Sequence, residues 1–207
     1  MLTIYGRTNS INVQKVLWCL GELGLPYERV DAGLEHGKNH EPWYLALNPN
    51  GRVPLLVDGA FSLWESNTIV RYLAGKHDPG GLYPSSPEER AHAERWMDWQ
   101  LSTLAGPLTT VFWNLVRLPA AQRDAAAVTA AAAKLAEAFA RLDRHLAERP
   151  YVAGDRLTVG DIPVGAAAHR WLALDGIDRP PLPSLERWHE RLAERPAYRA
   201  HVMRPLS

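Results

Sequence analysis

The sequence predicts two joined parts, a mixed α/β domain followed by an all-α helical domain. Over residues 1–77, short strand-like runs alternate with helical runs, as in a sheet covered by helices. Residues 78–87 are rich in Pro, Gly and Ser and are interpreted as a linker. Residues 88–207 are rich in Ala, Leu, Glu and Arg, which favour helix. These three observations set the fold class.

Hydrophobic spacing and turn residues predict the elements of the first domain. Asp58-Gly59 suits the turn of a hairpin, and Pro54, which has no N–H for a ladder, can stand only where a strand opens. Since most X–Pro bonds in folded proteins are trans, the sequence alone favours a trans Val53–Pro54 bond. The predicted strands are 2–5, 27–31, 54–57 and 60–63, and the predicted helices are 11–24, 41–47 and 66–76.

The second domain reads as helices separated by short breaks. The alanine-rich run over 125–138 keeps a helical rhythm, so helix is favoured over a disordered spacer. Thr158 and Asp161 have the spacing of a capping box and are assigned a structural role. The predicted helices are 88–117, 122–148, 159–175 and 184–195.

Composition argues against several classes of function. Lys+Arg and Asp+Glu both number 23, so the global charge does not indicate nucleic acid or an anionic membrane as a partner. No apolar run approaches the roughly 20 residues of a membrane-spanning helix. The N-terminus reads as a strand, not a signal peptide, so a cytoplasmic location is expected. The single cysteine, Cys19, can form neither an internal disulfide nor a thiolate cluster, and no metal site is predicted.

Ser10 stands where the first helix begins, directly after a polar loop. A hydroxyl at this position lies among unpaired backbone N–H groups, at the positive end of the helix dipole. It is therefore suited either to capping the helix or to stabilising an anion. The stretch 2–20 leaves both uses open.

Glu65 and Ser66 stand at a second helix entrance. The Ser66 hydroxyl and the free N–H groups of the first turn can hold a carboxylate, while Glu65 can accept a hydrogen bond from an ammonium group. Together they would suit a ligand shaped like an amino acid. The plainer interpretation, which this stretch alone favours, is that they cap and charge the helix.

In this order, the pieces resemble the glutathione S-transferase family over essentially the whole chain. The resemblance lies in Val53-Pro54 before the third strand, Glu65-Ser66 at the third helix, the short linker, and the segments 151–162 and 183–188. It implies a thioredoxin-like N-terminal domain, a helical C-terminal domain, a homodimer and glutathione as co-substrate. The implied reaction is attack of the glutathione thiolate on a small hydrophobic electrophile.

The resemblance also implies roles for single residues, the first of which concerns the sulfur of glutathione. It puts Ser10 at the position that meets this sulfur, with Asn12 as the second candidate. A hydroxyl donor and the helix dipole could lower the pKa of a thiol, normally near 8.5, by about 2 units. Thr8 and Asn9 are alternatives if the loop register differs, and Tyr5 is interpreted as core or cleft lining.

Three further assignments concern the rest of glutathione and the electrophile. The resemblance implies the Val53 backbone and a cis Pro54 for the peptide, and Glu65 and Ser66 for the γ-glutamyl end. For the glycine carboxylate we choose His40, with Lys38, Asn39 and Arg52 as alternatives. The electrophile should lie between the loop 6–10 and the first long helix. There we select Trp99, Thr103 and Trp113.

Two other functions stay open. One is glutathione-dependent disulfide reduction, although Ser10 cannot form a mixed disulfide. The other is a non-catalytic binding protein of the same fold, against which the set of Ser10, Glu65 and Ser66 argues. The sequence names neither the electrophile nor the choice between conjugation, isomerisation and dehalogenation.

Overall fold

A four-stranded mixed sheet forms the centre of the N-terminal part in the computed structural model, which describes residues 1–207. The strands lie in the order β2-β1-β3-β4. Strand β1 pairs parallel with β2 and antiparallel with β3, and β3 pairs antiparallel with β4. The elements are β1 (Leu2–Tyr5), α1 (Ile11–Glu22), β2 (Tyr27–Val30), α2 (Pro42–Leu47), β3 (Leu55–Asp58), β4 (Phe61–Trp64) and α3 (Ser66–His77).

Every strand and helix predicted for this part is confirmed, with ends that agree to within two residues. Pro54 lies directly before β3, so it removes no ladder hydrogen bond. The Val53–Pro54 bond is cis. This agrees with the family resemblance and contradicts the trans bond that the sequence alone favours.

The helical part begins with one long run of helix over residues 87–117. It consists of α4 (Pro87–Trp99), a π-helical turn over Gln100–Leu104, α5 (Ala105–Phe112) and a second π-helical turn over Trp113–Arg117. Pro107 lies inside this run and has no N–H to donate, which is a common cause of irregular turns. The later helices are α6 (Ala125–Leu146), α7 (Asp161–Ala173), α8 (Pro183–Ala193) and α9 (Pro196–His201).

The four helices predicted for this part are confirmed, and the alanine-rich run is helical. The predicted start at residue 122 is three residues early because the Asp124 carboxylate accepts from the Ala127 N–H and fixes the start of α6. Helix α9 was not predicted. It has only six residues and follows α8 closely, so its hydrophobic pattern is too short to separate from that of α8.

Helix α1 belongs to the cores of both parts. All eight residues over 13–20 are buried, since α1 packs on α3 on one side and on α7 and α9 on the other. Trp18 meets Tyr198 of α9 edge to face, with ring centroids 4.6 Å apart. One hydrophobic core of 42 buried residues therefore runs through the whole chain and holds the start of α1 in place.

None of the helices is both long and apolar enough to cross a membrane.

Candidate active site

The start of α1 opens into a cavity of about 340 Å³ between the two parts of the chain. Its walls come from the β1–α1 loop, the segments before α2 and β3, the run around α5, and α7. Of the residues singled out in the sequence, this cavity brings together Ser10, Asn12, Val53 and Trp113. A cavity is thus present between the sheet domain and the first long helix, where the electrophile site was expected.

Ser10 immediately precedes α1 in an extended conformation and is 9% exposed. Its carbonyl accepts from the Gln14 N–H at 2.9 Å, which begins the helix. Its hydroxyl forms no capping hydrogen bond. The capping use that the sequence left open is therefore not realised, and the hydroxyl is available to a group in the cavity.

A second, smaller cavity of about 150 Å³ adjoins the first and shares Asn12, Arg52 and Val53 with it. Its other walls include Pro54, Glu65 and Ser66. Asn12 connects this wall to the start of α1, because the Ser66 hydroxyl donates to Asn12 Oδ1 at 3.4 Å. The two adjoining cavities thus form one groove that runs from Ser10 to the start of α3.

The start of α3 has an unusual backbone. Glu65 has a φ of 71°, in the left-handed region that residues with a side chain rarely adopt. Such conformations persist where the surrounding structure enforces them, and they cluster at ligand sites. Ser66 is buried, and no side chain caps the first turn of α3. The N–H groups of that turn are therefore available to an anion.

His40, chosen for the glycine carboxylate, does not line either cavity; its side chain is exposed. Its neighbour Asn39 lines the larger cavity and is buried, because Asn39 Nδ2 donates to the Gly51 carbonyl at 2.6 Å. Lys38 is turned away and donates to the Asp31 carbonyl at 3.0 Å. Of the four residues considered, Asn39 and Arg52 reach the cavity.

Trp99 and Thr103, selected for the electrophile, also lie outside the cavity. Trp99 precedes Trp113 by 14 residues, which is about 21 Å along a helix axis. It packs instead against Trp96, with centroids 5.2 Å apart, beside Arg141 of α6. Thr109 and Phe112, one turn or less before Trp113, take the positions in the wall that the sequence reasoning gave to Trp99 and Thr103.

The sequence reasoning missed that the larger cavity is basic. Its lining includes four arginines and no Asp or Glu; the arginines are Arg7, Arg52, Arg117 and Arg170. Burial first, and then Arg117 and Arg7, lower the pKa of Arg170 to about 9. One signal was available, because Arg170 is the only Arg or Lys in α7, a helix that is mostly apolar and buried.

Two further titratable residues, Lys15 and Cys19, lie in α1 further along the chain than Ser10 and Asn12. Lys15 is buried and donates to Gln100 Oε1 at 2.8 Å. Burial lowers the pKa of Lys15 to about 7; Arg170 adds to this effect and Glu65 opposes it. Cys19 is free and fully buried, and burial raises the pKa of its thiol, as expected of a core residue and not of a nucleophile.

No group of three or more His, Cys, Asp and Glu side chains is placed to hold a metal ion. The site instead consists of hydrogen-bond donors and cations around a groove. It combines a free hydroxyl at a helix start, a second uncapped helix start and a cluster of guanidinium groups. Such a site stabilises anions.

Comparison with known proteins gives a consistent result. Residues 1–75 match the family model "Glutathione S-transferase, N-terminal domain", and residues 104–196 match "Glutathione S-transferase, C-terminal domain". Over the full length of both chains, the sequence is 46% identical to glutathione S-transferase GstB of Escherichia coli K12. It is 37% identical to glutathione S-transferase 3 of Zea mays, over 97% of this chain and 93% of the maize protein.

A solved structure matches equally well. It is the theta class glutathione S-transferase from the citrus canker pathogen Xanthomonas axonopodis pv. citri, crystallised with glutathione bound. The two sequences are 50% identical, and the match covers 100% of this chain and 99% of the other, with a TM-score of 0.96.

Proposed function

Since the chain belongs to the glutathione S-transferase family, we propose that Ser10 is the residue that stabilises the thiolate of glutathione. The protein is a glutathione transferase, and glutathione is its co-substrate. The observation that carries the assignment of Ser10 is its hydroxyl, which stands at the positive end of α1 and takes no part in capping.

The thiolate is the nucleophile, and a free thiol with a pKa near 8.5 is mostly protonated at neutral pH. Lowering this pKa by about 2 units corresponds to about 2.7 kcal/mol. One charge-assisted hydrogen bond from Ser10 and the α1 terminus can supply that amount together. Asn12 is the second donor, because Ser66 already occupies its Oδ1 and leaves its amide N–H groups for the ligand.

For the rest of glutathione, the smaller cavity supports the roles that the sequence suggested. The backbone of Val53, beside Pro54, pairs with the extended peptide. Glu65 and Ser66 hold the ammonium and carboxylate of the γ-glutamyl end, where the first turn of α3 is uncapped. We assign the glycine carboxylate to Asn39 and Arg52 instead of His40, because these two line the larger cavity.

The reaction joins the sulfur to an electrophilic carbon. The thiolate attacks, the C–S bond forms, and a leaving group departs with its electron pair. The electrophile occupies the side of the cavity formed by Thr109, Phe112 and Trp113. The protein contributes chiefly by holding the thiolate ionised and the two reactants together.

The ultraviolet absorbance of the glutathione thiolate, titrated against pH in the bound state, tests the role of Ser10. Bound to the wild type, the thiol should show a pKa about 2 units below its free value near 8.5. Ser10→Ala should recover most of that difference, and Asn12→Ala a smaller part.

Thr8→Val is the matched control, because Thr8 is the other loop hydroxyl and does not line the larger cavity. It should leave the titration of the bound thiol unchanged. If Thr8→Val or Asn12→Ala removed the shift and Ser10→Ala did not, the assignment of Ser10 would be wrong.

We also propose a homodimer. Two large apolar side chains outside both cavities stay exposed, namely Phe61 on β4 (44%) and Leu101 directly after α4 (43%). Exposed apolar side chains of this size are typical of interfaces between subunits. Sedimentation should therefore give a dimer for the wild type and a monomer for Phe61→Glu.

Two further proposals concern organisation and location. We divide the chain into a glutathione-binding domain over 1–77, a linker over 78–87 and a helical domain over 88–207. The family-model ranges support this division, since the first ends at residue 75 and the second begins at 104. We place the protein in the cytoplasm, where glutathione is kept reduced. Fractionation of the producing cells tests the location.

A further inference from the structure

Three arginines from distant parts of the chain meet at one wall of the larger cavity. Arg7 lies in the β1–α1 loop, Arg117 at the end of the helical run that contains α5, and Arg170 in α7. None of the three takes part in any of the nine salt bridges of the structure. The wall is therefore a cluster of cations without carboxylate partners.

The side chains are held in place although they lack ionic partners. Arg170 is 8% exposed, and its guanidinium lies 4.0 Å from the centre of the Phe112 ring. The guanidinium of Arg117 lies 5.6 Å from the same ring. The buried Nε atoms of Arg7 and Arg170 have no hydrogen-bond partner. Phe112 thus holds Arg117 and Arg170 by cation–π contact, while the buried Nε atoms of Arg170 and Arg7 stay unsatisfied.

Such a cluster lowers the stability of the folded chain, so we expect it to serve the binding of a ligand. Burying unpaired charges is costly, and three like charges repel one another. Burial and the charge of Arg117 lower the pKa of Arg7, with Glu35 opposing. Glu35 meets Arg7 in a neighbouring pocket and does not line this cavity, so Arg117 and Arg170 face no carboxylate in its wall. An anion placed between the three guanidinium groups would remove both penalties.

We propose that the electrophile site selects small electrophiles that carry a carboxylate or a comparable anionic group, which Arg117, Arg170 and Arg7 bind. This inference rests on the proposed function, because the anion is part of the second substrate. It replaces the small hydrophobic electrophile that the sequence suggested. The apolar side of the cavity, Phe112 and Trp113, receives the carbon skeleton of the same molecule.

The two carboxylates of glutathione do not account for this wall. The γ-glutamyl carboxylate belongs at the start of α3, in the smaller cavity, which none of the three arginines lines. The glycine carboxylate belongs with Asn39 and Arg52. Arg117 and Arg170, by contrast, come from the helical part of the chain, as do Thr109, Phe112 and Trp113. Their charge is therefore left for the electrophile.

A pair of probes that differ only in charge tests this selection. They are 4-chloro-3-nitrobenzoate and its amide, 4-chloro-3-nitrobenzamide. In both, the glutathione thiolate adds to the ring carbon that bears chlorine, the C–S bond forms, and chloride leaves with the electron pair of the C–Cl bond. Each kcat/KM is divided by the uncatalysed rate with glutathione, which removes the difference in intrinsic reactivity.

The wild type should prefer the carboxylate after this correction. Arg117→Gln should reduce the preference about 10- to 100-fold, the effect of losing one charge-assisted hydrogen bond. Arg117→Lys, which keeps the charge, should retain part of it. Arg123→Gln is the matched control, because Arg123 lies six residues further on, outside the cavity, where it donates to the Leu118 carbonyl. The control should keep the wild-type preference.

Thermal unfolding followed by circular dichroism checks that the variants fold. Arg117 is only partly buried, so its replacement is safer than that of Arg170. A readout without turnover is quenching of tryptophan fluorescence, since Trp113 lines the cavity. The anion 3-nitrobenzoate should bind the wild type more tightly than 3-nitrobenzamide, and Arg117→Gln should abolish the difference.

Two results would overturn the inference. One is a wild type that conjugates the neutral 1-chloro-2,4-dinitrobenzene yet shows no preference for the benzoate. The other is an Arg117→Gln variant in which both probes lose activity equally while the KM for glutathione rises, since the arginines would then serve glutathione. A wild type inactive on all three haloarenes that also fails to ionise bound glutathione would instead contradict the proposed function.

Discussion

Two helix starts at the cavity, those of α1 and α3, differ from two in the helical part, those of α4 and α6. Helices α1 and α3 start without any side-chain cap, although Ser10 and Ser66 stand at these starts. Helix α4, by contrast, is capped by Ser86, whose hydroxyl accepts from the Glu89 N–H at 3.1 Å. Helix α6 is capped by Asp124.

At the start of α7 no side chain caps the helix, but the first residue, Asp161, has its own hydrogen-bonding groups fully used. The buried carboxylate of Asp161 accepts from the N–H of Val152 at 2.9 Å, the N–H of Thr158 at 2.9 Å and Trp188 Nε1 at 3.1 Å. The Thr158 hydroxyl donates to it as well, so the capping-box residues form a structural cluster as predicted. Burial raises the pKa of Asp161 to about 6, although the four hydrogen bonds act to lower it. The carboxylate is therefore mostly ionised at neutral pH.

Structural and functional polar residues at helix starts can therefore be told apart. Both kinds stand at helix starts, and burial does not separate them, because Ser10, Ser66 and Asp161 are buried whereas Ser86 and Asp124 are not. They differ in whether their hydrogen-bonding groups are already used, because a free terminus can bind an anion only where no side chain has taken its N–H groups. Four substitutions test this distinction, and their expected effects decrease from Asp161 to Ser10, Ser66 and Ser86.

Asp161→Ala should lower the free energy of unfolding by about 3–5 kcal/mol, since three buried N–H groups lose their acceptor. Urea denaturation measures the loss. The kcat/KM of the folded fraction should stay at the wild-type value. Asp161→Asn, which keeps one oxygen acceptor, should lose less, and a loss below about 1 kcal/mol for the alanine variant would show that the cluster is not structural.

Ser10→Ala should reduce kcat/KM for 1-chloro-2,4-dinitrobenzene by a factor corresponding to about 2–4 kcal/mol, because a donor to the thiolate is removed. The free energy of unfolding should change by less than about 0.5 kcal/mol, since no capping bond is lost. A large loss of stability with little loss of rate would reverse the roles given to Ser10 and Asp161.

Ser66→Ala should raise the KM for glutathione about tenfold, or about 1.4 kcal/mol, because the Ser66 hydroxyl would exchange the long 3.4 Å bond to Asn12 Oδ1 for one to the γ-glutamyl carboxylate. Because chemistry takes place at the other end of the groove, kcat should change much less. Steady-state kinetics at varied glutathione concentration separates the two constants. An unchanged KM would remove Ser66 from the binding site.

Ser86→Ala should have the smallest effect, a loss of about 1 kcal/mol in the free energy of unfolding with no change in kinetic constants. It serves as the counterpart of Ser66→Ala, since each variant removes one hydroxyl at a helix start. If both variants changed the KM for glutathione equally, the distinction between the uncapped start of α3 and the capped start of α4 would be wrong.

The features that local pattern determines were predictable from the sequence. Strand and helix periodicity located the elements of both parts, and helix-start chemistry singled out Ser10 and Ser66. What failed depends on side-chain direction or long-range assembly. Asn39 and His40 are adjacent and their side chains meet at 3.1 Å, yet only Asn39 is buried and lines the cavity, so sequence distance could not choose between them. Arg7, Arg117 and Arg170 meet only through the fold, and no spacing within the chain reveals their cluster.

The burial of α1 on both sides has a consequence for cooperativity. Outside the cavity the sheet part and the helical part are in direct apolar contact, because Trp18 and its neighbours belong to the core of 42 residues that both share. Neither part can open or melt without exposing apolar surface of the other, so the two should unfold in one transition. The spacing between the walls of the cavity is then protected by the stability of the entire chain.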